Sequence, residues 1–357
     1  MSTSAFHSLK VLDTRDEIGG MAKTVLFDVP RDLRETFRWR PGQHLSFRFF
    51  VDGQEQRRSY SISSSPFTGE PMRITVKRVK RGRVSRHIND TLKKGDLVEV
   101  MSPKGNFCLD PDARARRTHY FFGAGSGITP LYSMLSSVIT AEPHSFAHLA
   151  YGNRNEKSIL LEEDLEALAA LNEDRMSLHH ILSRPGWWSS ADTWRTGIVD
   201  KAAIETLFEE EPPYAQDTQY YVCGPGDMNY AVREALMSLD VPASRIHMES
   251  YGGSKELDAS VEEVEGVGAT ARVTLNGSQY SVGVNRGQTL LEAARAAGLT
   301  PPFSCQSGVC GTCRGKLTEG KVHLRARMAL EDADLRDGAI LTCQSVPTTQ
   351  SLSLTYD

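Results

Sequence analysis

The sequence lacks any long hydrophobic run, although 39% of its 357 residues are hydrophobic. A membrane-spanning helix needs about 20 consecutive apolar residues, so we expect neither such a helix nor a secretory signal peptide. Cysteine is also scarce, because six residues in a chain of this length do not make a disulfide scaffold. These absences predict a cytoplasmic protein without a membrane partner.

Signatures of nucleic-acid binding are missing as well. Residues 1–115 carry 21 Lys and Arg against 14 Asp and Glu, whereas residues 116–250 carry 10 against 19. No zinc finger, basic zipper or aromatic RNA-binding motif accompanies the basic part of the chain. We therefore expect no nucleic-acid partner and attribute the excess positive charge to an anionic cofactor.

Four of the six cysteines are present in a characteristic spacing. Cys305, Cys310 and Cys313 form C-x4-C-x2-C, and Cys343 follows 30 positions later. This is the ligand spacing of plant-type [2Fe–2S] clusters. Structural zinc sites usually bring their ligands in two close pairs along the chain, so the cluster is favoured over the alternatives, zinc and free thiols.

The spacing of apolar residues along the sequence predicts three domains. Residues 1–115 alternate short apolar and polar stretches, which is typical of an antiparallel β-barrel. Residues 116–251 show the βαβ rhythm of an α/β domain with a parallel sheet, with a helix over 131–139. Residues 252–268 have few large apolar residues and read as a linker. Residues 269–357 begin with a hairpin that turns at Asn276-Gly277.

Two phrases of the barrel indicate an anion site. The first, Arg57 to Ile62, contains R-x-Y-S, which resembles the flavin-binding signature of the ferredoxin–NADP reductase superfamily. By that resemblance, Arg58 could bind a pyrophosphate while the Tyr60 ring and the Ser61 hydroxyl contact a flavin. The second phrase, residues 76–85, predicts a turn whose backbone N–H and hydroxyl groups could bind phosphate. Its candidate binding residues are Val76, Lys77, Gly82, Val84 and Ser85. A solvated basic strand edge with a core tyrosine would look the same as the first phrase.

The middle domain carries a glycine loop directly after an apolar strand and before a helix. Its sequence is Gly123-Ala-Gly-Ser-Gly-Ile-Thr-Pro130, so that Gly125, Gly127, Thr129 and Pro130 could surround a phosphate at a helix N-terminus. Proline stands where the third glycine of the ordinary dehydrogenase fingerprint would be. A second phrase, Cys223-Gly224-Pro225, closes a later apolar strand.

Together these phrases resemble the ferredoxin–NADP reductase superfamily. Over essentially the whole chain, the sequence resembles the reductase subunits of phenylacetyl-CoA epoxidase complexes. Four stretches carry this resemblance, namely 37–44, 57–62, 151–154 and 341–345. The resemblance implies an FAD-binding barrel, an NADP(H)-binding α/β domain and a C-terminal β-grasp ferredoxin domain, with FAD, NADPH and a [2Fe–2S] cluster as cofactors.

The resemblance also implies roles for further residues. Cys223, with Gly224 and Pro225, falls beside the nicotinamide in relatives, but a buried strand cysteine is an equally good interpretation. Ser183 and Arg184 fall where relatives bind the 2′-phosphate of NADPH, although Arg184 could be an ordinary surface arginine. Near the end of the domain, relatives place an aromatic residue against the flavin, which points to Tyr251 together with Glu249.

Tyr60, Cys223 and Tyr251 are thus the predicted catalytic side chains, and the four spaced cysteines are the predicted metal ligands. Flavin can accept two electrons from NADPH and release them singly to a cluster. By resemblance, the protein acceptor would be the diiron oxygenase that epoxidises phenylacetyl-CoA. A reductase of a Rieske oxygenase such as ketosteroid 9α-hydroxylase, using NADH or NADPH, and a redox-sensing iron–sulfur protein are the alternatives.

Overall fold

The computed structural model of the chain describes residues 6–186, 194–251, 264–330 and 332–356. Most of the predicted linker, residues 252–268, lies outside these ranges, as do Trp187 and Trp188, for which the sequence suggested a role in covering the nucleotide or meeting a partner. Trp194 is described, and its ring packs 4.8 Å from that of His180.

The N-terminal part forms an antiparallel barrel. Its strands are β1 (His7–Glu17), β2 (Ala22–Asp28), β3 (His44–Val51), β4 (Gln54–Ser61), β5 (Arg73–Lys77) and β6 (Leu97–Val100), and helix α1 spans Arg83–Thr91. The strand order is β4-β3-β6-β1-β2-β5, and a bridge between Ile62 and Ile74 closes the sheet. Buried and exposed residues alternate along β1, where Leu9 and Val11 point into the core.

The middle part forms a parallel sheet with helices on its faces. Its elements are β7 (Thr118–Ala124), α2 (Ile128–Ala141), β8 (Phe146–Asn153), α3 (Glu162–Ala170), β9 (Met176–Leu182), β10 (Arg195–Thr196), α4 (Lys201–Glu210), β11 (Thr218–Gly224), α5 (Gly226–Ser238) and β12 (Ile246–Ser250). The order β10-β9-β8-β7-β11-β12 reverses direction between β7 and β11. Ligands of such sheets bind at the carboxyl ends of the strands beside this switch point.

The C-terminal part is a mixed sheet covered by one longer helix. Its elements are β13 (Ala269–Leu275), β14 (Ser278–Val284), α6 (Leu290–Ala296), β15 (Arg314–Glu319), β16 (Val322–Leu324), α7 (Asp332–Arg336), β17 (Ala339–Leu341), β18 (Ser345–Pro347) and β19 (Ser351–Thr355). Asn276 and Gly277 have φ angles of 58° and 77°, as a two-residue hairpin turn requires. The parallel pairing of β13 with β19 next to antiparallel pairs gives the β-grasp arrangement.

The predicted fold class, an antiparallel barrel followed by an α/β domain and an α+β ferredoxin domain, is confirmed. The exact boundaries 115/116, 251/252 and 268/269 stay a prediction. The barrel and the middle domain share a hydrophobic cluster, in which Phe107 and Leu109 pack with residues of β7 and α2. This shared core fixes the junction at which the candidate site lies.

Candidate functional site

A cavity of about 750 Å³ lies where the three domains meet. Both barrel phrases line it, and the other walls come from α2, from the end of β12 and from the cysteine loop. Its lining includes all eight predicted barrel residues, namely Arg58, Tyr60, Ser61, Val76, Lys77, Gly82, Val84 and Ser85. We refer to this space as the flavin cavity, because the residues predicted to bind FAD surround it.

The side chains that line the cavity fit the chemical groups of FAD. Burial lowers the pKa of Lys77, and a bound phosphate would offset this effect by favouring the charged ammonium. Burial raises the pKa of Tyr60, which stays a neutral phenol, so its ring can face an apolar cofactor surface. Arg58 is exposed at the rim of the cavity, where its guanidinium can reach a pyrophosphate.

Residues 83–85, which we predicted as a turn, are instead the first turn of helix α1. The Ser85 hydroxyl accepts a hydrogen bond from the Val79 N–H at 3.2 Å. A Cβ atom on Gly82 would lie 2.3 Å from Ser85 Oγ, so the close approach of these two residues requires glycine. The N–H groups of this helix start replace the turn amides as candidate phosphate donors.

Side chains from two domains form a hydrogen-bonded cluster at the back of the flavin cavity. The Tyr251 hydroxyl lies 2.6 Å from Ser61 Oγ and 3.3 Å from Thr129 Oγ1, and Ser61 Oγ lies 3.4 Å from Glu249 Oε2. Cys223 is fully buried next to the Tyr251 hydroxyl, and burial raises the pKa of its thiol. Predicted site residues from separate sequence phrases therefore meet at one point.

Glu249 differs from an ordinary surface carboxylate. Burial raises its pKa to about 8, and hydrogen bonds from Ser61 and Tyr251 only partly oppose the shift. At neutral pH the carboxyl group is therefore mostly protonated and can donate a hydrogen bond. A neutral acid at this position avoids placing a negative charge beside an anionic cofactor.

The glycine loop sits at the switch point of the parallel sheet. A Cβ atom on Gly127 would lie 1.9 Å from the carbonyl oxygen of Cys223, so the loop and the end of β11 are in direct contact. Gly125 has a φ of +54°, and the Tyr151 hydroxyl donates to its carbonyl at 2.8 Å. Pro130 is buried in the first turn of α2, while Gly224 ends β11 and Pro225 precedes α5.

Ser183 and Arg184 follow β9 at the carboxyl edge of the same sheet. The Ser183 N–H donates to Asn153 O at 3.0 Å, and the Arg184 N–H donates to Arg154 O at 2.7 Å, while both side chains are exposed. Neither residue lines the flavin cavity. This edge is the one that binds the nucleotide in folds of this type, so their position is compatible with the predicted 2′-phosphate contact.

The four spaced cysteines form two pairs, and within each pair one thiol shifts the pKa of the other. Hydrogen bonding between the thiols lowers the pKa of Cys305 and raises that of Cys310, and the same relation holds for Cys343 and Cys313. None of the four is in a disulfide. Across the described ranges, no three metal-ligating side chains converge on one point. The four reduced cysteines would hold a [2Fe–2S] cluster as thiolates, as their spacing in the sequence predicts.

Backbone groups around the cysteine loop fit a negatively charged cluster. The Ser307 N–H donates to Cys305 Sγ at 3.4 Å. Gly308 and Gly311 have φ angles of 78° and 66°, and Gln306 between two cysteines has a φ of 60°. These left-handed conformations turn successive N–H groups toward the thiols.

Sequence reasoning missed part of the lining. His44, Ser126, Ser307 and Val309 also line the flavin cavity. His44 is buried, its Nε2 has no hydrogen-bond partner among the described residues, and burial lowers its pKa to about 4. It also lines a second cavity of about 860 Å³ between the barrel and the ferredoxin domain. The sequence signal that could have identified His44 is its position directly after the motif Arg40-Pro41-Gly42-Gln43, at the start of β3.

Comparison with known proteins identifies all three domains. Family models match residues 10–108 as an oxidoreductase FAD-binding domain, 121–234 as an oxidoreductase NAD-binding domain and 273–348 as a 2Fe-2S iron-sulfur cluster binding domain. The solved structure of phthalate dioxygenase reductase, 23% identical, covers 98% of both chains with a TM-score of 0.57 and therefore supports the fold.

Two curated relatives align along almost their entire length. One is a component of the 1,2-phenylacetyl-CoA epoxidase of Escherichia coli K12, which is 32% identical over 355 residues that cover 99% of this chain and 98% of the relative. The other is the ferredoxin reductase component of the 3-ketosteroid-9-alpha-monooxygenase of Rhodococcus rhodochrous, which is 34% identical over 345 residues, covering 94% and 92%.

The three domains and their order define an iron–sulfur flavoprotein oxidoreductase. The chain belongs to the same ferredoxin reductase family as this epoxidase component. Its cofactors are FAD, a [2Fe–2S] cluster and a nicotinamide nucleotide, and it is an electron-transfer enzyme. Within the described part of the chain, no helix combines the length and apolar character needed to cross a bilayer.

Proposed function

We propose that this protein is an NADPH-dependent reductase that delivers electrons to a diiron oxygenase acting on phenylacetyl-CoA. End-to-end similarity to the component of the phenylacetyl-CoA epoxidase carries this proposal. We further place the protein in the cytoplasm, because the thiolates of an iron–sulfur cluster suit a reducing compartment.

The geometry supports the proposed order of electron transfer. When bound, FAD accepts two electrons from the nicotinamide and releases them one at a time. Cys305 and Cys310 line the same cavity as Arg58 and Tyr60, so the flavin and cluster sites adjoin each other. Tyr251 and Glu249 line the same cavity, and the glycine loop and Cys223 next to them would hold the nicotinamide, which supplies hydride to the flavin.

The choice of NADPH rests on Arg184. An arginine fork matches the dianionic 2′-phosphate, which NADH lacks. Ser183 and Arg184 are exposed at the nucleotide edge of the parallel sheet, so their side chains are available to a ligand. Discrimination between the two nucleotides therefore depends on this pair.

A second acceptor is favoured by the 34% identity to the ketosteroid monooxygenase reductase. The deciding experiment mixes purified holoenzyme and NADPH with either the diiron epoxidase and phenylacetyl-CoA, or the Rieske oxygenase and its steroid. We expect substrate oxidation that depends on the reductase with the diiron enzyme. Oxidation of the steroid alone would assign the protein to the second acceptor. The Cys343→Ser variant, tested in parallel, shows that any turnover depends on the cluster.

A further inference from the structure

Alternating guanidinium groups and aromatic rings form a column between the barrel and the ferredoxin domain. Arg48 Cζ lies 4.3 Å from the ring centroid of Phe6, and Arg57 Cζ lies 4.9 Å from the same centroid. The Phe303 ring centroid lies 3.9 Å from Arg57 Cζ and 4.3 Å from Arg295 Cζ. We call Arg48, Phe6, Arg57, Phe303 and Arg295 the cation–aromatic column.

The column crosses a domain boundary at its centre. Arg48 in β3 and Arg57 in β4 are paired in the barrel sheet, whereas Phe303 precedes the cysteine loop and Arg295 belongs to α6. Phe303 is only 6% exposed, and the Arg57 side chain is 13% exposed. Phe303 also packs in the ferredoxin domain's own core, against Leu291 and Cys313, so its ring joins that core to Arg57 of the barrel.

The charges in the column are held in place by the rings and by carboxylates. Burial and the nearby Arg48 and Arg295 lower the pKa of Arg57, whereas a 2.7 Å ion pair with Glu55 opposes this effect. Arg48 forms a bidentate pair with Glu99. The negative faces of the aromatic rings offset the remaining repulsion between guanidinium groups. The Phe303 ring is therefore needed for Arg57 and Arg295 to approach each other.

Strand β4 connects this column to the flavin cavity. Arg58 and Tyr60 line the flavin cavity, while their neighbours Arg57 and Ser59 contact the ferredoxin domain. The Ser59 hydroxyl donates to Ser304 Oγ at 3.0 Å. On the other side, Phe303 and Ser304 lead directly into Cys305. One short strand and one short loop thus carry both cofactor sites and the contact that joins them.

We propose that Arg57 and Phe303 are positioning residues that fix the cluster loop against the flavin site and thereby set the rate of electron transfer between the two cofactors. Each transfer removes one electron from reduced FAD and adds one to the cluster. Such transfer slows steeply with distance, so loosening the contact lowers the rate. This inference rests on the electron route and is independent of which oxygenase is the acceptor.

The test compares Phe303→Leu, Phe303→Tyr and Arg57→Met in the holoenzyme. Phe303→Leu keeps an apolar side chain but removes the ring face, whereas Phe303→Tyr retains it. Arg57→Met removes the guanidinium from the barrel side, away from the cysteine loop. Phe67→Leu is the control, because Phe67 is an exposed ring of the same barrel outside the column.

Two readouts are combined with iron analysis. Amide hydrogen exchange of residues 57–61 and 303–305 reports docking, and stopped-flow spectroscopy separates flavin reduction by NADPH from the later reduction of the cluster. We expect Phe303→Leu and Arg57→Met to raise exchange roughly tenfold, given the usual strength of cation–π contacts, and to slow cluster reduction. Flavin reduction should stay unchanged, and Phe303→Tyr should behave as wild type.

Normal cluster reduction in either variant despite faster exchange would overturn the inference, since the column would then be structural only. Slow cluster reduction without faster exchange would overturn it equally. If Phe303→Leu loses iron, Arg57→Met decides the matter. Full iron, faster exchange and slow cluster reduction in Arg57→Met support the inference, and a normal rate contradicts it.

Discussion

At the scale of single residues, the predicted site is defined by side chains that come from distant parts of the sequence. Ser61, Cys223, Glu249 and Tyr251 belong to three separate strand ends, yet they lie within one hydrogen-bonded cluster. Motif resemblance could name these residues. Their contacts and the protonation of Glu249 could not be predicted, because both depend on burial in the folded protein.

Arg184 offers the clearest test of nucleotide choice. Arg184→Ala should weaken NADPH binding by about 1.5–3 kcal/mol, the range for hydrogen bonds to charged groups, and leave NADH binding nearly unchanged. Titration of the two nucleotides against the purified protein measures this difference. Arg34→Ala, which removes an exposed arginine of the barrel, is the control. Equal losses for both nucleotides would give Arg184 a structural role.

Glu249 predicts a pH-dependent stability. Its pKa is about 8 in the folded protein and near 4.5 in the unfolded chain, so the unfolded chain loses its proton first as the pH rises. Stability contributed by the neutral carboxyl is complete below about pH 4.5 and is lost progressively up to about pH 8. Glu249→Gln should remove this loss.

The melting temperature of Glu249→Gln relative to wild type should therefore rise between pH 5 and pH 8 and then level off. Thermal unfolding of both proteins across this pH range provides the measurement. A constant difference at all pH values would mean that the Glu249 carboxyl is ionised in the folded protein.

At the scale of elements, the glycine loop and the end of β11 pack so closely that a methyl group does not fit. Gly127→Ala places a Cβ atom 1.9 Å from the Cys223 carbonyl oxygen, so the backbone must move. We expect a loss of about 1–3 kcal/mol in stability, as for other overpacked sites, together with weaker nucleotide binding.

Chemical unfolding and nucleotide titration of Gly127→Ala test this expectation. Gly283→Ala is the matched control, because a Cβ atom there meets no atom within 4 Å. Equal stability of the two variants would show that the loop can shift without cost and that the close contact is not required.

The elements themselves were largely predictable from local patterns. Alternating burial predicts the barrel strands, and Asn276-Gly277 predicts the hairpin, because these signals act over a few residues. The start of α2 at Ile128, not Leu131, and the helix at Arg83 were missed. Polar and glycine-rich segments such as 82–85 and 125–130 can form turns or helix starts, and tertiary packing decides between them.

At the scale of the whole molecule, the sequence predicts three domains but not how they contact one another. Contacts such as those of Arg57 with Phe303 join residues about 250 positions apart, and no local pattern contains them. The ferredoxin domain turns Cys305 and Cys310 toward the flavin cavity. We therefore expect the acceptor to approach the cluster from another side.

The exposed basic residues after the cluster loop are candidates for that approach. Arg314 forms an ion pair with Asp334 at 2.7 Å, whereas Lys316 and Arg325 are exposed. The Arg325 backbone N–H donates to the carbonyl oxygen of Gln344, the residue after Cys343. Complementary charge mainly raises association rates and is screened by salt. Reversing both residues to glutamate should slow coupled oxygenase turnover most at low ionic strength.

Arg272→Glu, on an exposed position of β13, serves as the control for this charge reversal. Ferricyanide reduction by NADPH, which needs only the flavin, should remain normal in both proteins. If the double variant and Arg272→Glu supported oxygenase turnover equally at low salt, the docking surface would lie elsewhere.

The central claim is that electrons pass from the nicotinamide to FAD and only then through the cysteine-bound cluster to a protein acceptor. It is tested most directly by replacing each of Cys305, Cys310, Cys313 and Cys343 with serine, with Cys108→Ser as the control, and measuring iron content, flavin reduction and cytochrome c reduction with NADPH. The account predicts that each of the four variants loses the cluster and cytochrome c reduction, while NADPH still reduces the flavin and Cys108→Ser behaves as wild type. Full iron content in all four variants, or cytochrome c reduction at the wild-type rate without the cluster, would contradict it.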